Sequence, residues 1–401
     1  EVTREETDDI PDYKRCVENG VLDFEDLDDI KLLPHSKEYN FRTKWPVKYK
    51  PEADCPTLKE FIKRTFYKED IPLVVEWLGF HVRRRYFKKK SVIFHGPKNT
   101  GKTIFVNTLT AFLGENVSGL SIQEISRAKA FDLLTLNGKD ANICDDLSSK
   151  DMEAVGGFKM AVGDGWINGE HKFGDRIRFR NTAKNTDTCN TIPLPGKDID
   201  DEAYYERIIL IPVDNVLPEA EQDDSIIDKL TTPEEQSGLL NLAIEGYKRL
   251  IEQNGFSNPK TAEETKFLMI QNGSSLAEFS SEVLIHVDGQ KVDKETMYQV
   301  YCKWCMEHKP ELSPDTKDKI GKNLTRFAPF TQSVSDGSKR TWLNVKLTDK
   351  YYTFQNNMSL DKNNSNIYMD FPKAVIPVRK DTKDAQKEEI SDKQPVLEPK
   401  K

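Results

Sequence analysis

Cysteine is sparse. Six cysteines are scattered over 401 residues, which excludes a disulfide-stapled framework and points to a reducing, cytoplasmic setting. Long apolar runs are missing too. No window approaches eighteen consecutive apolar residues, so no membrane span and no membrane partner are expected. No charged-then-apolar leader opens the chain, and position 1 is Glu1 rather than Met; the expectation is a piece of a longer protein. Positive charge is outnumbered, with 59 Lys and Arg against 67 Asp and Glu and a net charge of -8. That balance argues against a simple basic nucleic-acid coat protein but leaves room for local basic sites. What remains is 37% hydrophobic and 31% charged, a composition that can bury a core and fill two or three domains.

Acidic residues crowd positions 1–30 and apolar periodicity is weak there, so this stretch reads as a linker or lead-in strand. From about residue 56, Leu58, Phe61, Ile62 and Phe66, then Val74, Val75, Trp77 and Leu78, recur at helical spacing, and Pro72 stands where a second helix can begin. A basic run follows at 83–90. It reads as a phosphate-contacting patch, a localisation signal or a solvated connection, and the last reading is favoured. Between 91 and about 250, short apolar runs (Ser91–His95, Ala141–Cys144 and 208–213) alternate with helical stretches, the pattern of an α/β domain around a largely parallel sheet. Beyond Asn258-Pro259, helical patterns at 261–286 and 292–308 precede Lys317–Phe327 and an alternating segment through Trp342 and Leu347, which reads as a small winged helix. The residues from about 373 are charged and poor in apolar side chains, and are expected to be disordered.

The strongest motif is Gly96-Pro97-Lys98-Asn99-Thr100-Gly101-Lys102-Thr103, which fits GxxxxGK[ST] between an apolar strand and an amphipathic helix. Its glycines let backbone N–H groups curl around phosphate oxygens, and the following helix adds the positive end of its dipole. Lys102 can reach the β- and γ-phosphates of ATP, and Thr103 offers a hydroxyl to Mg²⁺. About forty residues on, Ala141-Asn142-Ile143-Cys144-Asp145-Asp146 ends an apolar run in two carboxylates, one suited to Mg²⁺ and the other to an attacking water. Which takes which role stays open at this level. Asn190 ends a strand just before Pro193, where an amide can hold water against a γ-phosphate. Arg207 directly precedes an apolar strand, and its guanidinium suits the charge of a transferring phosphoryl group, even one bound to a neighbouring subunit.

The order of these motifs resembles the superfamily 3 helicases, specifically the primase-helicases of phages, plasmids and large DNA viruses. Upstream, Asn19-Gly20-Val21-Leu22-Asp23, Pro34-His35-Ser36 and Tyr49-Lys50-Pro51-Glu52 look like the segment that precedes the ATPase there. The likeness continues through Phe158-Lys159, Gly163-Asp164, Lys172-Phe173-Gly174-Asp175, Arg178-Phe179, Asn190 and Arg207, then Tyr301-Cys302-Lys303-Trp304-Cys305. The resemblance implies an α/β, P-loop AAA+-like ATPase with a largely parallel central sheet, preceded by a helical lead-in domain and followed by a small winged-helix domain. The implied divisions are a lead-in at 1–55, a helical oligomerisation region at 56–90, the ATPase at 91–255, the winged helix at 256–372 and a tail at 373–401.

By the same resemblance Lys102, Thr103, Asp145 and Asp146 bind MgATP and activate water. Asn190 senses the γ-phosphate, and Arg207 is the finger for the next subunit. The stretch between Gly163 and Arg178 forms a hairpin, turning at Ile167-Asn168-Gly169-Glu170, whose Lys172 and His171 track DNA in the channel of a hexameric ring. Phe173 packs under its tip. Lys322, Arg326, Lys339 and Arg340 offer a DNA face on the winged helix, unless that module docks protein instead. The implied activity is ATP-dependent DNA unwinding, 3′ to 5′, on single-stranded and forked DNA during plasmid, phage or viral replication, with a primase-polymerase domain linked upstream. The alternatives are a ring ATPase that loads or remodels replication proteins and a non-catalytic scaffold. Cys302 and Cys305 form a CxxC without a second pair at zinc spacing, and read as core residues on a helix.

Overall fold

The computed structural model describes residues 3–4, 11–171, 174, 176–196, 199–309, 314–337 and 339–351. After β1 (Thr3–Arg4), the amino-terminal part is an antiparallel sheet of β2 (Lys14–Val17), β3 (Gly20–Asp23) and β4 (Lys31–Leu33). The stretch read as a linker or lead-in strand is therefore strand at Thr3–Arg4 and again between Lys14 and Leu33. Its few apolar side chains suffice because they are spent inward: Val17, Leu22, Phe24 and Trp45 are buried and join the main core. Arg15 is buried as well, and its carboxylate partner Asp140 lies 125 residues away, a pairing that no local pattern could reveal.

Helices α1 (Pro56–Thr65) and α2 (Ile71–Phe80) follow, each with proline in its first turn where the missing N–H costs nothing. The chain then enters the central sheet at β5 (Ser91–His95) and continues through α3 (Lys102–Leu113), β6 (Val117–Ser118), α4 (Ile122–Ser126), α5 (Ala130–Leu133) and β7 (Ala141–Cys144). Next come α6 (Gly156–Ala161), the hairpin β8 (Trp166–Glu170) and β9 (Arg176–Arg180), β10 (Lys184–Cys189), α7 (Glu202–Tyr205) and β11 (Ile208–Pro212). The five-stranded sheet has the order β11-β5-β10-β7-β6, and every pairing in it is parallel. Because β5, β7 and β10 are adjacent and parallel, the segments that follow them emerge on one edge, which is where open α/β sheets build their sites.

The central strand β10 breaks the usual rule for buried parallel strands. Its sequence Lys184-Asn185-Thr186-Asp187-Thr188-Cys189 is polar, yet all six residues are buried. Each polar group must then find a partner. The Asn142 amide donates to Asn185 Oδ1 at 2.7 Å, Asn185 donates to Ser91 Oγ at 3.1 Å, and the Trp77 indole N–H donates to Thr186 Oγ1 at 3.0 Å. Burial pushes the Asp187 carboxyl far above its usual range, against the pull of the Asn185 amide that donates to it.

Helices α8 (Ile226–Leu230) and α9 (Pro233–Glu252) close the body. Helix α9 crosses α2 at backbone contact: a Cβ on Gly246 would overlap the Val75 carbonyl, and one on Gly79 would overlap the Tyr247 amide. Beside the crossing, the fully buried Glu76 accepts from Arg249 at 3.0 Å and Gln253 at 2.8 Å. Gly246→Ala is expected to push the helices apart and cost about 1–3 kcal/mol, read as a lower urea midpoint; an unchanged midpoint would mean that the crossing adjusts freely.

Helix α10 (Ala262–Gly273) packs its Met269 into the same core. A second core follows, built from α11 (Ser275–Val283), β12 (Leu284–Asp293), α12 (Lys294–His308), α13 (Lys317–Phe327), β13 (Gln332–Asp336) and β14 (Lys339–Leu347). Its sheet is antiparallel in the order β12-β14-β13, and Phe279, Tyr301, Trp304, Leu324, Trp342 and Val345 fill the interior. The helix expected at 261–286 is split. Ser274 caps a new helix by accepting from the Ala277 N–H, and residues from Leu284 pair with β14 as a strand. Cys305 is buried in this core and Cys302 half-buried at its margin. The expected tail at 373–401 lies outside the described residues. Among the described residues no helix is long and apolar enough to cross a membrane.

Candidate active site

The loop at 96–101 joins β5 to α3 and owes its shape to glycine. Gly96 has φ +149°, and a Cβ there would run into the Val213 carbonyl; Gly101 has φ +94°, a region that side chains avoid. Asn99, at φ 62°, is the asparagine that tolerates a left-handed turn. Lys102 opens α3 and turns its ammonium back onto the loop. It donates to the Gly96 carbonyl at 2.8 Å, to the Pro97 carbonyl, and to Thr100 Oγ1 at 3.3 Å. Burial pulls its pKa down, while Asp145, Asp146 and Asp214 pull the other way.

The Thr103 hydroxyl donates to Asp145 Oδ1 at 3.2 Å, which ties the end of the loop to the end of β7. Thr188 of β10 donates to the same carboxylate oxygen and accepts the Asp146 N–H at 2.9 Å. One buried threonine of the polar strand thus orients both acidic residues. Asp146 has φ 61°, an unfavourable conformation for a residue other than glycine, and both carboxylates are exposed. These groups share a cavity of about 570 Å³ with residues 98–104 and Asn190; Phe61, Arg64, Leu217 and Ile227 form other parts of its wall. Residues 96–103, Asp145, Asp146 and Asn190 are therefore together, as the motif spacing predicts.

Other expected residues lie elsewhere. Arg207 stands at the start of β11, which pairs in register with β5 from Ile208 opposite Ser91 to Pro212 opposite His95. It is on the opposite edge of the sheet from the loop, roughly 16 Å away at about 3.3 Å per residue, and its guanidinium donates to the Ala203 carbonyl. Ile167-Asn168-Gly169-Glu170 is not the turn of the hairpin but its first strand, paired up to Glu170 opposite Arg176. Gly169 is needed there because a Cβ would strike Leu134. His171 is exposed just beyond β8; Lys172 and Phe173 lie outside the described residues.

Arg326 corrects the expected winged-helix DNA face. It donates to the Pro195 carbonyl at 2.8 Å and stands 3.6 Å from Asp151, so it fastens α13 to the body built on the parallel sheet. Helix α13 buries Ile320 and Leu324, which leaves Lys322 outward, whereas Arg326 meets the loop that follows Asn190. Lys322, Lys339 and Arg340 are exposed. The basic run at 83–90 is largely structural. Arg83 and Arg85 flank Asp12 at 3.7 and 3.4 Å, Lys88 donates to Asn254 at 2.9 Å, and Lys90 donates to the Glu206 carbonyl.

Sequence reasoning missed the cationic stem of the hairpin. Alternation along Arg176-Ile177-Arg178-Phe179-Arg180 puts three arginines on one face, and Phe179 is buried on the other. The Arg178 and Arg180 guanidinium carbons lie 4.7 and 4.9 Å from the centre of the Trp166 ring. The two-residue period was the available signal. Thr188 was missed as well, since nothing local marks a buried threonine as an orienting group.

Residues 94–207, from β5 to the start of β11, match a family described as of unknown function, DUF5906. Residues 1–67 match a family described as D5 N terminal like. No curated protein matches the chain. Among solved structures, two apo structures of the NrS-1 C-terminal region are similar at 16% identity and a TM-score of 0.45, covering 86% of this chain and 84% of theirs. A further A-form apo structure of the same region aligns over 75% of this chain and 77% of its own, with 16% identity and a TM-score of 0.41.

Proposed function

We propose that the chain is an ATP-driven DNA-unwinding motor of the superfamily 3 type that acts in replication as a ring. The observation that carries this reading is the single cleft in which Lys102, Thr103, Asp145, Asp146 and Asn190 meet. The backbone of the 96–101 loop would cradle the phosphates, whose oxygens would replace the Gly96 and Pro97 carbonyls as acceptors for Lys102. Thr103 and Asp145 suit Mg²⁺, a hard cation that binds a hydroxyl and one or two carboxylates alongside phosphate oxygens. Bound there, it would neutralise charge on the β- and γ-phosphates. With Asp145 engaged by two threonine hydroxyls, Asp146 is the better base. It takes a proton from the attacking water as the water oxygen bonds to the γ-phosphorus and the bond to the ADP oxygen breaks. Asn190 holds that water in line.

The placement of Arg207 supports a ring. On the far edge of the sheet it cannot serve its own cleft, but it can serve that of a second copy. The carboxy-terminal order α11-β12-α12-α13-β13-β14 supports the winged-helix reading, with Lys322, Lys339 and Arg340 as its DNA face. The hairpin supports strand tracking through the arginine row on β9. Lys172→Ala is expected to keep ATP turnover within twofold and to lower the unwinding rate at least tenfold. Strand displacement on 3′- and 5′-tailed duplexes checks this and reads the polarity. Normal unwinding by the variant would remove Lys172 from the DNA path. ATP turnover that single-stranded DNA does not stimulate would favour a loading or remodelling ATPase.

A further inference from the structure

A second pocket, of about 200 Å³, lies where the amino-terminal sheet meets the ATPase body. Its wall includes Lys139 and Asp140, which immediately precede β7, so it sits at the opposite edge of the parallel sheet from the P-loop cleft. Arg15, Arg84 and Lys139 line it alongside the carboxylate of Asp140. That carboxylate is already committed, one oxygen to Arg15 and the other to the Trp45 indole N–H at 2.8 Å. Arg15 is committed in turn, donating to the Val82 carbonyl at 2.7 Å and to the His81 carbonyl. Lys139 reaches the Glu115 carbonyl at 2.7 Å and makes no ion pair among the described residues.

Arg84 stands apart from the rest of the basic run. Its guanidinium is half-buried and makes no hydrogen bond or ion pair among the described residues, and burial lowers its pKa. An arginine partly withdrawn from water without an acceptor is costly, and a planar five-donor fork is best satisfied by a phosphate or carboxylate. The same wall holds a complementary demand. Asn116 is buried, and its amide orientation follows from Nδ2 donating to the Leu113 carbonyl at 2.9 Å, which leaves Oδ1 inside with no donor among the described residues. A bare anion cannot meet that demand, because Oδ1 accepts. A phosphate carried by a group with its own O–H or N–H meets both. Phe41, also on the wall and only half-buried, adds an aromatic face.

We propose that this pocket binds a nucleotide unit, its phosphate on Arg84 and Lys139 and a sugar hydroxyl or base amino group on Asn116 Oδ1. The site is separate from the P-loop cleft and does not depend on the motor reading. The unit could be a free nucleotide or one residue of a single strand, which share this chemistry.

The test uses the full chain carrying Lys102→Ala, so that the P-loop is impaired, and isothermal titration with AMP, adenosine and a 5′-phosphorylated five-residue deoxyadenylate. AMP is expected to bind at least tenfold more tightly than adenosine, and Arg84→Met is expected to weaken AMP at least tenfold, with Arg84→Lys in between. If the oligonucleotide binds more tightly than AMP and responds to Arg84→Met, the strand is the source; if not, the free nucleotide is. Should Arg84→Met fail to fold by circular dichroism, Lys139→Met carries the same expectation. Equal binding of AMP and adenosine, or AMP binding indifferent to both the Arg84 and Lys139 substitutions, overturns the proposal. None of these outcomes bears on wild-type ATP turnover, which tests the motor reading by itself.

Discussion

Lys102→Ala should lower ATP turnover by at least about 10²–10³-fold, some 3–4 kcal/mol of transition-state stabilisation. Lys102 is the one ammonium held inside the loop, and no other lysine or arginine takes its place there: Lys98 and Arg64 only line the cleft. Asp145→Asn should produce a loss of the same order. The substituted amide keeps the bonds from Thr103 and Thr188 possible but removes the charge that suits Mg²⁺. Steady-state phosphate release from both variants and the wild type checks this. Turnover within a few-fold of wild type in Lys102→Ala would take the site out of catalysis and leave the cleft as a binding element. Folding is the necessary control, because Lys102 also bonds loop carbonyls; a melting temperature close to wild type assigns the loss to chemistry.

Arg15→Ala should be the most destabilising single change in the amino-terminal part, at about 3–5 kcal/mol. Removing one partner of a buried pair strands the other. Asp140 would keep only the Trp45 N–H, and the His81 and Val82 carbonyls would lose their donor. The double change Arg15→Met with Asp140→Leu should cost less than Arg15→Ala, since it removes both charges rather than one. Urea unfolding followed by tryptophan fluorescence reads the order of the two. A milder single than double variant would mean that the pair is not the source of stability.

The same cluster gives the fold a pH dependence. Burial works against the charge on Asp140, yet Arg15 and Trp45 outweigh it and hold its carboxyl below the usual range. Burial, with Lys184 nearby, lowers the pKa of His81 to about 3. An unfolded chain would protonate His81 near its ordinary value of about 6.5. Between about pH 6.5 and 3 the unfolded state therefore binds the extra proton, and the contribution of His81 to stability falls as pH falls through that window. The contribution of Asp140 is present above the ordinary carboxylate range and is lost as pH falls from there through its lowered pKa.

The candidate site was readable from the sequence where the chemistry is local. Residues 96–103 declare themselves because strand, glycine loop and helix are contiguous, and Asp145-Asp146 because an apolar run ends in them. Residues whose role comes from a distant neighbour were not readable. Arg326 looks like a DNA-facing cation on an amphipathic helix, but the Pro195 carbonyl and Asp151 claim it. Residues 284–286 continue the helical pattern of 261–286 in the sequence, yet pair with β14 as strand because β14 offers them an edge. β10 carries no apolar signal at all, and it holds the middle of the sheet because Asn142, Ser91 and Trp77 satisfy its side chains from three other elements.

By itself the sequence determined the glycine-rich loop at 96–103, its acidic neighbours and the parallel α/β body, because motif spacing and hydrophobic period act over a few residues. Only the tertiary structure decided that one threonine orients both acidic residues, that Arg207 stands across the sheet from its own cleft, and that Arg84 alone of the basic run's arginines lacks a partner among the described residues. Those outcomes depend on strand order and on hydrogen bonds between residues more than forty positions apart. The scarcity of positive charge is resolved in the same way: the net charge of -8 describes the whole surface, whereas folding gathers arginines on one face of β9 and at one pocket.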